Sequence, residues 1–151
     1  MKTRNLVVLF FILMFVILIV GCVGPKASPK LSIENSWGRP SPTMPTAGGL
    51  YMLVKNEGDA PDTLLSGKSP ACGSIEVHEM VMKTDGTMGM NLVDKPVQIP
   101  AGGQIEFKVG DLHIMCIMRN DDQFKPGQNI DLTLTFEKSG DMTVSAAIKG
   151  E

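Results

Sequence analysis

Ile130-Asp131-Leu132-Thr133-Leu134-Thr135-Phe136, a Ser139-Gly140-Asp141 turn, and Met142-Thr143-Val144-Ser145-Ala146-Ala147-Ile148 decide the fold class of this chain. Apolar and polar residues alternate through the first run, which is the two-residue period of a half-buried strand. Gly140 and Asp141 are turn formers, so the two runs read as a hairpin with one face in a core. The same pattern returns toward the N-terminus. Residues 104–109 and 74–82 alternate, residues 48–55 and 87–92 are short strand candidates, and residues 112–118 are more continuously apolar and read as central. Residues 31–37 make a first strand. Thr63 to Ser66 reads as a short strand that Gly67 weakens and Pro70 ends. Asn56-Glu57-Gly58-Asp59, Asp85-Gly86 and Lys125-Pro126-Gly127 are turns. Residues 39–45, with three prolines, read as loop, and residues 96–103 as a connection turning at Pro100-Ala101-Gly102-Gly103. Many short strands with regular turns and few helix signals predict an all-β sandwich or barrel.

The chain begins with a different texture. Lys2 and Arg4 precede an apolar run over residues 6–20. The run is short for a membrane-spanning helix, which needs about 20 residues, and fits the apolar region of a secretory signal. It ends in Ile19-Val20-Gly21-Cys22, which resembles a lipobox with Cys22 as the lipidated residue. Residues 1–21 are therefore expected to be a lipoprotein signal peptide, residues 22–30 a lipid-anchored flexible spacer, and residues 31–151 a single domain. The competing reading of the leader is an uncleaved anchor helix. Either way the domain lies outside the cytoplasm. The leader removes two basic residues and no acidic one, leaving 12 Lys and Arg against 16 Asp and Glu, a mature charge of about −4. Nothing in that balance recommends a nucleic-acid partner.

Residues 78–118 hold both histidines and six of the eleven methionines: Met80, Met82, Met88, Met90, Met115 and Met118. Imidazole nitrogen and thioether sulfur together suit a soft monovalent metal, Cu(I). Strand parity puts His78 with Met80, and His113 with Met115, on shared faces. Methionine is also a common core filler, so composition and spacing leave packing and metal binding both open.

Several phrases carry a resemblance to a known family. They are Trp37-Gly38-Arg39-Pro40, Ile75-Glu76-Val77-His78-Glu79-Met80, Ile99-Pro100-Ala101-Gly102-Gly103, His113-Ile114-Met115 and Phe124-Lys125-Pro126-Gly127. In that order they resemble the PCuAC family of extracytoplasmic copper chaperones. The resemblance covers almost the whole mature domain. It implies a cupredoxin-like Greek-key β-sandwich or barrel that binds one Cu(I) through His78, Met90, His113 and Met115. Met80 and Met82 would then be accessory sulfurs at a rim, or simple packing. The family spaces its first histidine and methionine by about eleven positions. Met90 stands twelve after His78, so Met88, of the same strand parity, stays as an alternative ligand. The implied partner is a copper-accepting protein, with the dinuclear copper centre of a respiratory oxidase as the specific candidate, and a monomer tethered to the membrane by its lipid is expected. No His/Met-rich tail follows Ile148, so no second, oxidised-copper site is expected there.

Cys72 and Cys116 are the two thiols left once Cys22 is lipidated. In an oxidising compartment a disulfide is allowed, and so are two buried thiols. A thiolate near the copper is the third option. The parity of Cys116 opposes that of His113 and Met115, so it is left out of the expected copper shell, and no blue colour is expected. Two other functions compete with the carrier. One is a copper-dependent enzyme, although no catalytic arrangement stands out. The other is a metal-free surface sandwich that binds a protein or polysaccharide. A turnover assay and a copper titration separate them.

Overall fold

The computed structural model describes residues 26–150. The expected signal peptide, Cys22 and the first part of the expected spacer lie outside them. Ten strands follow one another: β1 (Leu31–Pro40), β2 (Ala47–Asn56), β3 (Asp62–Lys68), β4 (Cys72–Met82), β5 (Met88–Leu92), β6 (Val97–Ile99), β7 (Gln104–Phe107), β8 (His113–Arg119), β9 (Asn129–Phe136) and β10 (Gly140–Ile148). They hydrogen-bond in the order β5-β4-β8-β2-β1-β10-β9-β3-β6, with β7 also on β2. The β1–β10 pair is parallel and the other pairs are antiparallel. The sheet folds over so that β3 comes against β4, yet no ladder joins those two strands. The architecture is therefore an all-β sandwich and not a closed barrel.

The β9–β10 hairpin behaves as its alternation predicts. Ile130, Leu132, Leu134 and Phe136 point inward from β9, and Ala146 and Ile148 from β10. Their outward neighbours pair across the strands: Thr133 Oγ1 and Thr143 Oγ1 are 2.8 Å apart, and Thr135 donates to Asp141. Leu50, Met52, Val54, Ile114, Cys116 and Phe124 complete the centre of the core. At roughly 25 cal/mol per Å² of apolar surface, each Val, Leu, Ile, Phe or Met among them contributes about 1.5–3 kcal/mol on burial.

Three boundaries differ from the sequence reading. The connection over residues 96–103 contains β6, which pairs Asp62 with Ile99 and Leu64 with Val97; three residues are too few to display a period. β1 runs on to Pro40, pairing Arg39 with Gly49, because a proline at a strand end forfeits little of the ladder. β3 continues through Gly67, where a Cβ would come 2.7 Å from Ile75 Cγ2 and 3.1 Å from Leu134 Cδ2. Gly67 therefore admits its neighbours and does not stop the strand. Within the expected spacer, residues 28–30 are bound to the domain. Ser28 N–H donates to Asp59 Oδ1 at 2.7 Å, Lys30 N–H to Asn56 Oδ1 at 3.0 Å, and Glu57 N–H to the Lys30 carbonyl at 2.9 Å. These bonds tie residues 28–30 onto the β2–β3 turn.

Two features fasten neighbouring strands to one another. Cys72 and Cys116 form a disulfide on the core side, Cα to Cα 5.3 Å, across 44 positions of sequence. Asp62 is fully buried, and its carboxylate accepts the N–H groups of Thr63, Lys138 and Ser139 at 2.8–2.9 Å. Burial alone would raise its pKa, but the hydrogen bonds from Ser139, Lys138 and Thr63 outweigh it and hold the carboxyl below its usual value.

The double change Cys72→Ala with Cys116→Ala is expected to cost about 2–4 kcal/mol of unfolding free energy, from the closed-loop length. Denaturant unfolding of both proteins measures it, and a loss under about 0.5 kcal/mol would show that the bond adds little. Asp62→Asn is expected to cost about 1–3 kcal/mol at neutral pH, because an amide cannot accept all three N–H groups. A depressed native pKa adds stability that is complete above the unfolded value near pH 3.9 and vanishes as pH falls through the native one. The gap between parent and Asp62→Asn should therefore narrow below about pH 4 in a pH series of melts; a constant gap would contradict the assignment.

Candidate metal centre

β4 has two different faces. Ile75 and Val77 point to the core, whereas Glu76, His78 and Met80 point the other way. The β4–β8 ladder sets His78 opposite His113 and Glu76 opposite Met115. The β4–β5 ladder sets Met80 opposite Met90 and Met82 opposite Met88. On the other side of β8, Met115 faces Gly49 of β2, and Gly49 faces Arg39 of β1. One sheet face therefore gathers both histidines, Met80, Met90 and Met115 from three neighbouring strands. Cys116 lies on the opposite, core face, as its parity predicts.

Rings form a row across this face. Trp37 and Tyr51 centroids are 4.5 Å apart, Tyr51 and His113 6.4 Å, and His78 and His113 6.2 Å. Lys149 Nζ lies 4.6 Å over the Trp37 ring at the end of the row. Beside it is a cavity of about 260 Å³, lined by Arg39, Tyr51, Met80, Met90, His113 and Met115, with Pro42 and Val109 among the residues at its edge. Gly49 forms part of its wall, and a side chain there would collide with the Tyr51 phenol. His113 and Met115 are buried, at 6 % and 3 % exposure, while Met90 is open at 37 %. His78 is not itself a lining residue, but its ring neighbours that of His113. Met88 and Met82 lie farther along the hairpin, exposed and outside the cavity, and Met118 sits near the far end of β8. Met90, not Met88, thus shares the cavity with His113 and Met115.

Hydrogen bonds orient both imidazoles. His113 Nδ1 lies 2.7 Å from the Asp111 carbonyl. A carbonyl can only accept, so Nδ1 carries a proton, and in the neutral ring the lone pair is then on Nε2. Asp111 ends the tight turn over residues 108–111, and its carboxylate is held below its usual pKa by the Leu112 N–H and by Lys108. His78 Nε2 lies 2.9 Å from Glu76 Oε2, and His78 Nδ1 is buried without a partner. An unpaired buried nitrogen is costly in an apo protein and is the kind of atom a metal satisfies. Among the described residues no three of His, Cys, Asp and Glu are grouped so that they alone could hold a metal ion. The donors assembled here are two imidazoles and neutral thioethers, a set that fits a soft ion better than zinc or magnesium.

Sequence reasoning did not single out Glu76, Tyr51, Gly49 or the Asp111 carbonyl. Glu76 was legible in one respect, since Glu-x-His shares strand parity. The others meet the site only through sheet pairing.

The family described as "LpqE-like: Putative lipoprotein LpqE-like" matches residues 31–148. A curated relative, "Putative lipoprotein Lxx21020" of Leifsonia xyli subsp. xyli, is 27 % identical over 124 residues, covering 82 % of this chain and 72 % of its own. Among solved structures, "Copper-bound PCuAC domain from PmoF2" superposes with a TM-score of 0.65 at 26 % identity, covering 84 % of this chain and 97 % of that one. "Apo PCuAC domain from PmoF1" gives 0.67 at 24 % identity, over 84 % and 98 %. None of these names describes an enzyme. The sandwich is thus the cupredoxin-like one of PCuAC domains, and the chain belongs to the LpqE-like family of extracytoplasmic, membrane-anchored lipoproteins.

Proposed function

We propose that this lipoprotein is a non-catalytic carrier that binds one Cu(I) through His78, Met90, His113 and Met115 and passes it to a copper-accepting protein outside the cytoplasm. The observation that carries the reading is the buried, unpartnered His78 Nδ1 beside a cavity lined by His113, Met115 and Met90. A copper-bound PCuAC domain with the same fold supports the choice of metal. Thioethers need no deprotonation and cannot be lost to disulfides, so they hold Cu(I) reversibly in an oxidising compartment. The buried His113 and Met115 would anchor the ion. The half-open Met90 would be the ligand an acceptor displaces first, with Met80 beside it as an accessory sulfur. Met82 and Met88 would extend that sulfur surface outward along the hairpin. The acceptor we favour is the dinuclear copper centre of a respiratory oxidase, reached by a monomeric carrier tethered through lipid on Cys22.

Met90→Leu keeps volume and removes sulfur. It should weaken Cu(I) binding by more than about tenfold, which corresponds to 1.4 kcal/mol. Met88→Leu should change it by less than about threefold. His78→Ala and His113→Ala should weaken it further still. Competition against a chromophoric Cu(I) chelator at fixed pH measures all four. If none differs from the parent, the copper reading fails and a metal-free binding module takes its place; if Met88→Leu alone binds poorly, Met88 is the ligand. Mass spectrometry of the native N-terminal peptide should find acyl chains on Cys22. An intact, unmodified leader would remove the lipid tether from the proposal.

A further inference from the structure

Glu76 is the unexpected residue of the site. It lies two positions before His78 on β4 and opposite Met115 on β8, so it shares the face of the proposed ligands. Its Oε2 meets His78 Nε2 at 2.9 Å, and its Oε1 accepts a hydrogen bond from the Ser74 hydroxyl at 3.3 Å. The carboxylate is thus held from both sides. An ionised carboxylate only accepts hydrogen bonds, so the ring nitrogen facing it must carry the proton. A neutral imidazole has one N–H, which leaves its lone pair on Nδ1, the atom that is buried and has no partner. His113 has the reverse arrangement: the Asp111 carbonyl takes its Nδ1–H and frees Nε2.

We propose that Glu76 is a positioning residue that fixes His78 in its Nε2–H form, so that His78 offers Nδ1 and His113 offers Nε2 to the same ion. The inference rests on the Cu(I) reading above and adds how the site is preset. Because both rings are already in their binding tautomers, the ion meets two free lone pairs without a proton having to move. The negative charge of Glu76 also sits one imidazole away from the bound cation, and a carboxylate behind a metal-bound histidine raises its basicity.

The test uses the apo protein first. A long-range ¹H–¹⁵N spectrum of ¹⁵N-histidine-labelled protein at neutral pH reports which nitrogen of each ring is protonated. His78 is expected as the Nε2–H form and His113 as the Nδ1–H form. In Glu76→Ala the His78 signals should move toward a mixture of tautomers, and Cu(I) affinity should fall about 10–100-fold, the usual range for removing such a partner. Glu76→Gln keeps an acceptor for the ring N–H but removes the charge, so it should retain the tautomer and lose less affinity. Finding Nδ1–H on His78 in the parent, or unchanged tautomer and copper affinity in Glu76→Ala, would overturn the inference while leaving copper binding intact. Conversely, a parent with His78 as Nε2–H that binds no Cu(I) would remove the carrier function and its copper arm, yet keep Glu76 as the residue that sets the ring. Thermal melts of the variants show whether any loss of affinity is merely a loss of fold.

Discussion

The site depends on the register in which β4 lies against β8. Side chains alternate along a strand, so a slip of one residue would exchange the two faces of the ladder. Glu76, His78 and Met80 would enter the core, and Ile75 and Val77 would replace them beside the cavity. Both faces oppose such a slip. On one side Ile114 and Cys116 belong to the apolar centre and Ile75 and Val77 pack against it, and the Cys72–Cys116 disulfide joins the same two strands covalently. On the other side the alignment of His78 with His113, and of Glu76 with Met115, brings the polar network together. Core and site are thus two faces of one ladder, and the disulfide stabilises a position as well as a fold.

Burial at the site is tolerable because its innermost donors are a thioether and an imidazole, neither of which has to be an ion. Met115 and His113 are almost without solvent contact. A thioether gives up little on leaving water, and the Nδ1–H of His113 finds a carbonyl. A carboxylate or thiolate in the same place would have to leave water as an ion. The acidic group at the site, Glu76, keeps a third of its side chain open and is bonded on both oxygens. Charge therefore stays at the edge of the cluster, and soft, neutral donors occupy its interior.

Alternation made most of the fold legible. The β9–β10 hairpin, the turns at Gly58, Gly86 and Gly127, and the opposed parity of Cys116 all follow from local pattern. Elements shorter than a period did not show themselves. β6 has three residues, and the extra lengths of β1 and β3 depend on partners distant in sequence. The same division holds at the candidate centre. His-x-Met parity and the resemblance in motif pointed to residues that the sheet does assemble on one face. Parity could not choose between Met88 and Met90, because the choice depends on where the β4–β5 hairpin stands relative to the cavity. The Asp111 carbonyl is invisible to any pattern of side chains, since its part is played by the backbone.

The bonds that hold residues 28–30 against Asn56, Glu57 and Asp59 would set the length of a tether running from a lipidated Cys22. From Cys22 to Ser28 a fully extended chain covers at most about 22 Å. The docking point is the Leu31 end of β1, whereas the ring row and the cavity lie toward Trp37 and Arg39, roughly 20–30 Å farther along the strand. A domain moored at Cys22 would therefore keep its β2–β3 turn close to the lipid headgroups and carry the histidine and methionine face at its outer end. On the proposed function, a carrier moored in this way would meet other proteins at a height set by the length of β1, and so short a tether would restrict how far it could tip toward an acceptor lying flush with the bilayer.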